Sequence, residues 1–303
     1  MYCRQLRVSH SAYFSLEGPL LIASNHPNSF LDAIVFSVLF KRPVHSLARG
    51  DAFKNKWLAS ILRSLNMLPV YRSSEGVQNM DYNYSTFDKC KEIFKNKGIV
   101  LIFSEGRCIN EWHLRSLKKG TARLALSSWQ DGIDLTVLPT GVNYQSFSVF
   151  GKNIHINFGS EIKKEEMGEE MGFGKSLLFF NQKLQAQLEP LVYELNKEDK
   201  GTLAQTFEMH VPAYQKLLLF MPAFIGYCCH LPLYLPLKMI AKKYGHKNDH
   251  YDSILFGLLF TCYPFYLLLG GVLINEFTEG SWWMIILLLP FCAWSFMRLK
   301  KQF

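Results

Sequence analysis

The sequence predicts an α/β fold, a mixed or mostly parallel sheet flanked by helices, with C-terminal membrane helices appended. Three observations predict it. Between Pro19 and about Phe158, short runs rich in Ile, Val and Leu alternate with helical patterns, as in sheets covered on both faces. The long apolar runs are concentrated in the last third of the chain. And 303 residues suffice for one large domain plus an appendage.

The strands expected in order are 20–24, 44–48, 68–71, 99–103, 135–138 and 154–158. Each is short and apolar, which fits strands buried on both faces. Helical patterns fall between them at 31–40, 56–65, 84–96 and 120–129. Residues 1–165 are thus expected to form the α/β core. A charged stretch with Gly and Met follows, 163–175. Beyond it Leu177, Phe180, Leu184, Leu188, Leu191 and Leu195 recur at spacings of three and four, one apolar face of an amphipathic helix packed on the core. Residues 166–212 are expected to be this helical extension.

Residues 213–303 are expected to be a membrane region of three apolar segments. Segment 253–274 is long enough to cross a bilayer, which needs about 20 residues. Segment 282–296 is a little short, with Trp282 and Trp283 suited to the interfacial belt. Seven residues part the two, so they read as a hairpin. Lys238, Lys242, Lys243 and Lys247 precede it and Arg298, Lys300 and Lys301 follow, while its turn carries Glu276 and Glu279 and no base. The positive-inside rule then puts both flanks, and the α/β domain, on the cytoplasmic face. Segment 217–237 is bracketed by Lys216 and Lys238 and broken by prolines 222, 232 and 236, so a re-entrant or interfacial placement is expected.

The net charge of +8 points to an anionic partner. Basic residues beside an apolar tail suit anionic lipid, and no signature of nucleic-acid binding occurs. Seven cysteines, odd in number and without a CxxC pair, support neither a disulfide framework nor a zinc ribbon. The N-terminal MYCRQLRVSH lacks the apolar run of a signal peptide. No GxSxG elbow occurs, and Gly174-Lys175-Ser176 has neither the earlier Gly nor the strand that a P-loop needs. No metal is expected, because the spacing of the His and carboxylate residues does not ask for one.

Four short blocks carry candidate chemistry. In Asn25-His26-Pro27-Asn28-Ser29-Phe30-Leu31-Asp32 a buried strand runs into a His and polar residues before a helix begins. A neutral His at a strand's carboxyl end can take a proton from a hydroxyl, and a carboxylate on its other nitrogen would fix the tautomer. On these residues alone, a loop His and an Asp serving the helix dipole is an equal reading. The third block, from Ile99 to Ser104-Glu105-Gly106-Arg107, again ends a strand in a carboxylate, a Gly and an Arg, and Arg115, Lys118, Lys119 and Arg123 follow. The second places Arg72 directly after a strand. The fourth, Leu138-Pro139-Thr140-Gly141, puts Pro and Gly at another strand end.

Taken together, the four blocks resemble the glycerolipid acyltransferase family, which includes lysophosphatidate and glycerol-3-phosphate acyltransferases. The resemblance covers about residues 18 to 165. That family has an HxxxxD block, an Arg after a short strand, a block like FPEGxR, and a Pro after a strand. It implies that His26 is the general base, Asp32 its orienting partner, and that Asn25, Asn28, Arg72, Glu105, Gly106, Arg107 and Lys119 serve the acceptor and its phosphate. Pro139 would shape the acyl-donor side. Acyl-CoA or acyl carrier protein would be the donor and a lysophospholipid or glycerol phosphate the acceptor, with membrane phospholipids as surroundings and no cofactor. Three departures stand out: five residues separate His26 from Asp32, as in some members with an HANQFxD form; Ser104 replaces the usual Pro; and Arg107 falls one place early, with Cys108 at the usual Arg position. A phospholipid transacylase, an aminolipid O-acyltransferase and a non-catalytic lipid-binding protein are the alternative expectations.

Overall fold

A computed structural model describes residues 2–71, 80–167, 172–245, 249–276 and 283–300. Among them seven strands form one sheet: β1 (Cys3–Val8), β2 (Leu20–Ser24), β3 (Val44–Arg49), β4 (Met67–Val70), β5 (Ile99–Phe103), β6 (Thr136–Tyr144) and β7 (Lys152–Phe158). Their spatial order is β1-β7-β6-β2-β5-β3-β4. The strands from β6 to β4 run parallel, β7 turns back antiparallel on β6, and β1 lies parallel to β7, so the sheet is mixed.

The apolar runs explain the layering. In β2, Leu21 and Ala23 face one way and Leu20 and Ile22 the other, and all are buried. The first face packs under α4 (Lys119–Gln130) and α5 (Phe173–Leu188) through Ala125, Trp129, Phe180 and Leu184. The second packs under α1 (Phe30–Leu39) through Phe36. The same second face also takes Leu237 and Ala241 of α7 (Ala213–Gly245) and Leu255 of α8 (Tyr251–Asn275). The C-terminal region therefore supplies part of the domain's own core. Helices α2 (Lys56–Ser64), α3 (Met80–Lys95) and α6 (Lys200–Thr206) complete the domain.

Several elements differ from expectation. β1 was not expected, because CRQLRV is an edge strand with polar residues and no apolar run. β6 runs nine residues, straight through Pro139 and Gly141 instead of ending before them. Pro139 lies opposite Ala23 and its carbonyl accepts from the Gly159 N–H at 2.9 Å. Gly141 is required there, since a Cβ would stand 2.4 Å from the Leu191 carbonyl oxygen. The amphipathic helix stops at Leu188, and a 3-10 turn carrying Pro190 takes Leu191 off its face.

Segment 217–237, expected to be re-entrant or interfacial, lies within one continuous 33-residue helix, α7. Its prolines each remove one backbone hydrogen bond without breaking the helix, as apolar helices tolerate when neighbours pack against them. α9 (Trp283–Leu299) packs along α7, where a Cβ on Gly226 would meet the Cys292 carbonyl oxygen at 2.2 Å. Small residues at such crossings let backbones approach. The α7–α8 contact includes polar pairs: His230 Nε2 lies 3.1 Å from the Tyr263 hydroxyl, and the Tyr266 hydroxyl donates to the Cys229 carbonyl. α7 and α8 are long and apolar enough to cross a membrane, whereas α9 is shorter. Leu217, Leu218, Phe260, Phe265 and Leu268 are exposed, a surface that water would penalise. Trp282 and positions 277–281 of the hairpin turn lie outside the described residues.

Candidate active site

β2 and β5 are neighbours in register, with Ser24 opposite Phe103, so the first and third blocks emerge side by side from the sheet's carboxyl edge. The Ser104 N–H donates to the Ser24 carbonyl at 2.8 Å, a bond that a Pro at this position would forfeit. Its hydroxyl accepts from Thr121 at 2.9 Å. The departure from the family block thus extends the β2–β5 ladder by one bond.

His26 and Asp32 meet. Nδ1 of His26 lies 2.8 Å from Oδ2 of Asp32, whose side chain is fully buried while that of His26 is 18% exposed. The loop between them contains Ser29, whose φ of 53° lies in the left-handed region. Such a conformation costs on the order of 1–3 kcal/mol and persists only where the surroundings impose it. Here the Ser29 N–H donates to Cys108 Sγ at 2.9 Å and its hydroxyl lies 2.7 Å from His250 Nδ1. The imidazole stacks on Phe103, with centroids 3.8 Å apart and planes 10° from parallel. In the tautomer assigned from this contact, Nδ1–H donates to Asp32 Oδ2. Nε2 then presents its lone pair, with no hydrogen-bond partner among the described residues.

The other residues expected at the site divide into two groups. Asn25, Asn28 and Glu105 are at most 4% exposed, and their polar groups are taken up by the protein. Asn25 Oδ1 accepts from the Val142 N–H at 2.8 Å and its Nδ2 donates to the Val142 carbonyl at 3.0 Å, continuing the ladder toward β6. Glu105 Oε2 accepts from the His26 backbone N–H at 2.7 Å and from Arg115 Nη2 at 2.9 Å, while Oε1 accepts from the Arg115 N–H at 2.9 Å. These bonds tie the side chains to the His26 loop and its neighbours. Gly106 has φ 68°, so a side chain there would be strained. Lys118 lies against Gly106, and Arg107, Lys118, Lys119 and Arg123 are all exposed. Pro139 is buried in β6, inside the sheet and short of its edge. Arg72 lies outside the described residues.

Sequence reading missed the residues behind the loop. Asn28 Nδ2 donates to Asp252 Oδ2 at 2.8 Å, its backbone N–H donates to Asp32 Oδ2 at 2.8 Å, and Lys152 Nζ donates to the same Asp252 oxygen. The Tyr2 hydroxyl donates to Asp252 Oδ1 at 2.8 Å. Asn110 Nδ2 donates to the Pro27 carbonyl at 2.7 Å and its N–H to Asp249 Oδ1 at 3.4 Å. The only hint was an acid at the head of an apolar run.

Burial dominates the electrostatics. It pushes the Lys152 ammonium down, against the opposing pull of Asp252. It raises the Tyr2 and Tyr144 phenols well above the usual range, with Asp252 and Asp32 respectively adding to the effect. The Cys108 thiol is raised by burial first and by Asp32 second, so it stays protonated and inert as a nucleophile. Burial lowers His250, which favours its neutral form. Among the described residues no group of three His, Cys, Asp or Glu side chains converges to hold a metal ion. A cavity of about 1110 Å³ opens beside Arg4, Phe207, Phe220 and Lys300, and no residue of the His26 loop lines it.

Fold and site together define an α/β protein with a His–Asp dyad on the carboxyl edge of its sheet and apolar helices built into one face. Residues 5–143 match the family model described as Acyltransferase. The matched stretch is less than half of the chain and carries all four blocks that resemble the glycerolipid acyltransferases. In structure the chain is similar to the 1-acyl-sn-glycerophosphate (LPA) acyltransferase PlsC from Thermotoga maritima, at 14% identity and a TM-score of 0.45, over 69% of this chain and 74% of that one. A comparison with curated proteins finds no match.

Proposed function

We propose that this protein moves a fatty acyl group from a thioester, on coenzyme A or acyl carrier protein, to a hydroxyl of lysophosphatidate or a related glycerol phosphate. The observation that carries the proposal is the His26–Asp32 contact, which leaves Nε2 open at the sheet edge. Nε2 takes the acceptor's hydroxyl proton as the oxygen attacks the thioester carbonyl. Asp32, anchored on Nδ1, stabilises the imidazolium that forms. When the tetrahedral intermediate collapses, the C–S bond breaks, and the imidazolium returns the proton to the departing thiolate. The products are an ester and a free thiol, with no covalent enzyme intermediate required.

Arg107, Lys118, Lys119 and Arg123, with Arg72, are assigned to the acceptor's phosphate, a doubly charged group that such a basic surface attracts. α7 and α8 would seat the chain in the bilayer, with residues 1–165 as the catalytic core on the cytoplasmic face, 166–212 as its helical extension and 213–303 as the membrane region. Holding an amphiphilic acceptor at the bilayer surface beside the base contributes through proximity, which is worth up to about 7–11 kcal/mol.

The test is to present full-length protein in detergent with a panel of labelled acyl thioesters and acceptors: lysophosphatidate, glycerol 3-phosphate and an uncharged monoacylglycerol. The proposal expects label in the phosphate-bearing product, with release of one thiol per ester formed. Preference for monoacylglycerol, or label transferred from a phospholipid and not from a thioester, would contradict it.

A further inference from the structure

The Asp252 carboxylate sits in the first turn of α8, at the head of an apolar helix, and yet it is 1% exposed inside the α/β domain. It is tied down by three donors: the Lys152 ammonium, itself fully buried, the Tyr2 hydroxyl and the Asn28 amide. Two of these are plain structural partners from β7 and the N-terminal edge. The third belongs to the catalytic loop. The Asn28 backbone N–H donates to Asp32 Oδ2, the same oxygen that receives His26 Nδ1–H, both at 2.8 Å. An unbroken series therefore runs Lys152–Asp252–Asn28–Asp32–His26, and every member before His26 is buried to 1% exposure or less. Two neighbours of Asp252 reinforce the contact: Asp249 accepts from the Asn110 N–H, and His250 Nδ1 lies 2.7 Å from the Ser29 hydroxyl.

We propose that Asp252 is a positioning residue of the active site, which fixes Asn28 so that Asn28 holds the Asp32 carboxylate against His26. The proposal rests on the reading of His26 as the base. It makes the start of α8 part of the catalytic apparatus and not only an anchor. It also gives Asn28 a task inside the protein, in place of contact with the acceptor. Lys152 supplies the opposite charge that a buried carboxylate needs as a partner, and Asp252 accepts from all three donors. The charge also lies at a helix N-terminus, where it is favoured. The competing view is that the Lys152–Asp252 pair merely fastens α8 to the sheet. The two views differ in what Asn28 does, since fastening does not need it.

The test uses full-length protein in detergent and compares Asp252→Asn, Asn28→Ala and the double variant. Asn28→Ala leaves the Lys152–Asp252–Tyr2 cluster whole, so it keeps the test decisive if Asp252→Asn does not fold. Each single variant is expected to lower kcat about 10- to 100-fold with the acceptor KM changed by less than about threefold, the signature of lost orientation. The double variant is expected to be no slower than the worse single one, because both break the same series. Hydrogen exchange supplies a readout independent of turnover: backbone amides at 28–30 should exchange faster in Asp252→Asn while those of β5 do not. Wild-type kcat in Asn28→Ala, kcat losses that multiply in the double variant, or unchanged exchange at 28–30 would each overturn the proposal. If the wild type transfers no acyl group, it is the functional reading that fails, and the exchange result still decides whether Asp252 holds the loop.

Discussion

Replacing Asp32 by Asn keeps the shape of the side chain and removes its charge. Asp32 is fully buried, and its Oδ2 accepts two hydrogen bonds of 2.8 Å, from His26 and from the Asn28 N–H. An Asn oxygen in the same place can accept both, so the loop geometry is expected to survive. What is lost is the attraction between the carboxylate and the imidazolium, which exists only once His26 has taken the acceptor's proton. Two unit charges about 4 Å apart at an effective dielectric constant of 20 attract by about 4 kcal/mol. At about 1.4 kcal/mol per tenfold in rate, kcat should fall about 1,000-fold. The assay is the initial rate of label transfer under saturating donor and acceptor, with a thermal melt to show that the variant is folded. A folded Asp32→Asn protein that keeps more than about a tenth of kcat, or that loses only affinity, would refute the role of the Asp32 charge in stabilising the imidazolium.

Other outcomes follow from the same geometry. Glu105→Gln should weaken the clamp on the His26 backbone and on Arg115, lowering stability by about 1–3 kcal/mol in denaturant titration, with kcat reduced and the acceptor KM little changed; a rise in KM alone would return Glu105 to the substrate. Arg107→Ala combined with Lys119→Ala should raise KM for lysophosphatidate about tenfold or more, with the effect shrinking at high salt; equal KM values for charged and uncharged acceptors in the wild type would contradict this. His155, buried against Tyr193 and Phe207, is held down to about 4 by burial first and Arg7 second. Its folded pKa lies below the unfolded value near 6.5, so the unfolded chain binds the extra proton and stability falls as pH drops from about 6.5 to 4, by up to about 3 kcal/mol. His155→Gln should flatten that part of the stability profile, read from denaturant midpoints at each pH.

Much of the sheet was legible because β2 and β5 are short apolar runs buried on both faces, a pattern with few other uses. The His26–Asp32 pair was legible for a related reason: a strand end, a short loop and a helix start confine both side chains within a few ångströms. β1 was not, because an edge strand needs only partial apolar character and CRQLRV shows little. Pro139 and Gly141 read as a strand end, but tertiary packing against Leu191 and Gly159 carries β6 through them. The prolines of α7 misled in the same direction, since the packing of α9 outweighs the lost backbone bonds. The blocks that contain Asn28 and Glu105 do not disclose their partners Asp252 and Arg115. Asp252 lies 224 positions from Asn28, and no periodicity or local motif reports a contact at that separation.

The most direct measurement is the rate at which full-length protein moves label from palmitoyl-CoA to lysophosphatidate, for the wild type and for a folded His26→Ala variant. The expected result is labelled phosphatidate from the wild type and a rate lowered by at least about 100-fold in the variant, the usual range for a lost general base. A His26→Ala protein that forms phosphatidate at the wild-type rate would contradict the account.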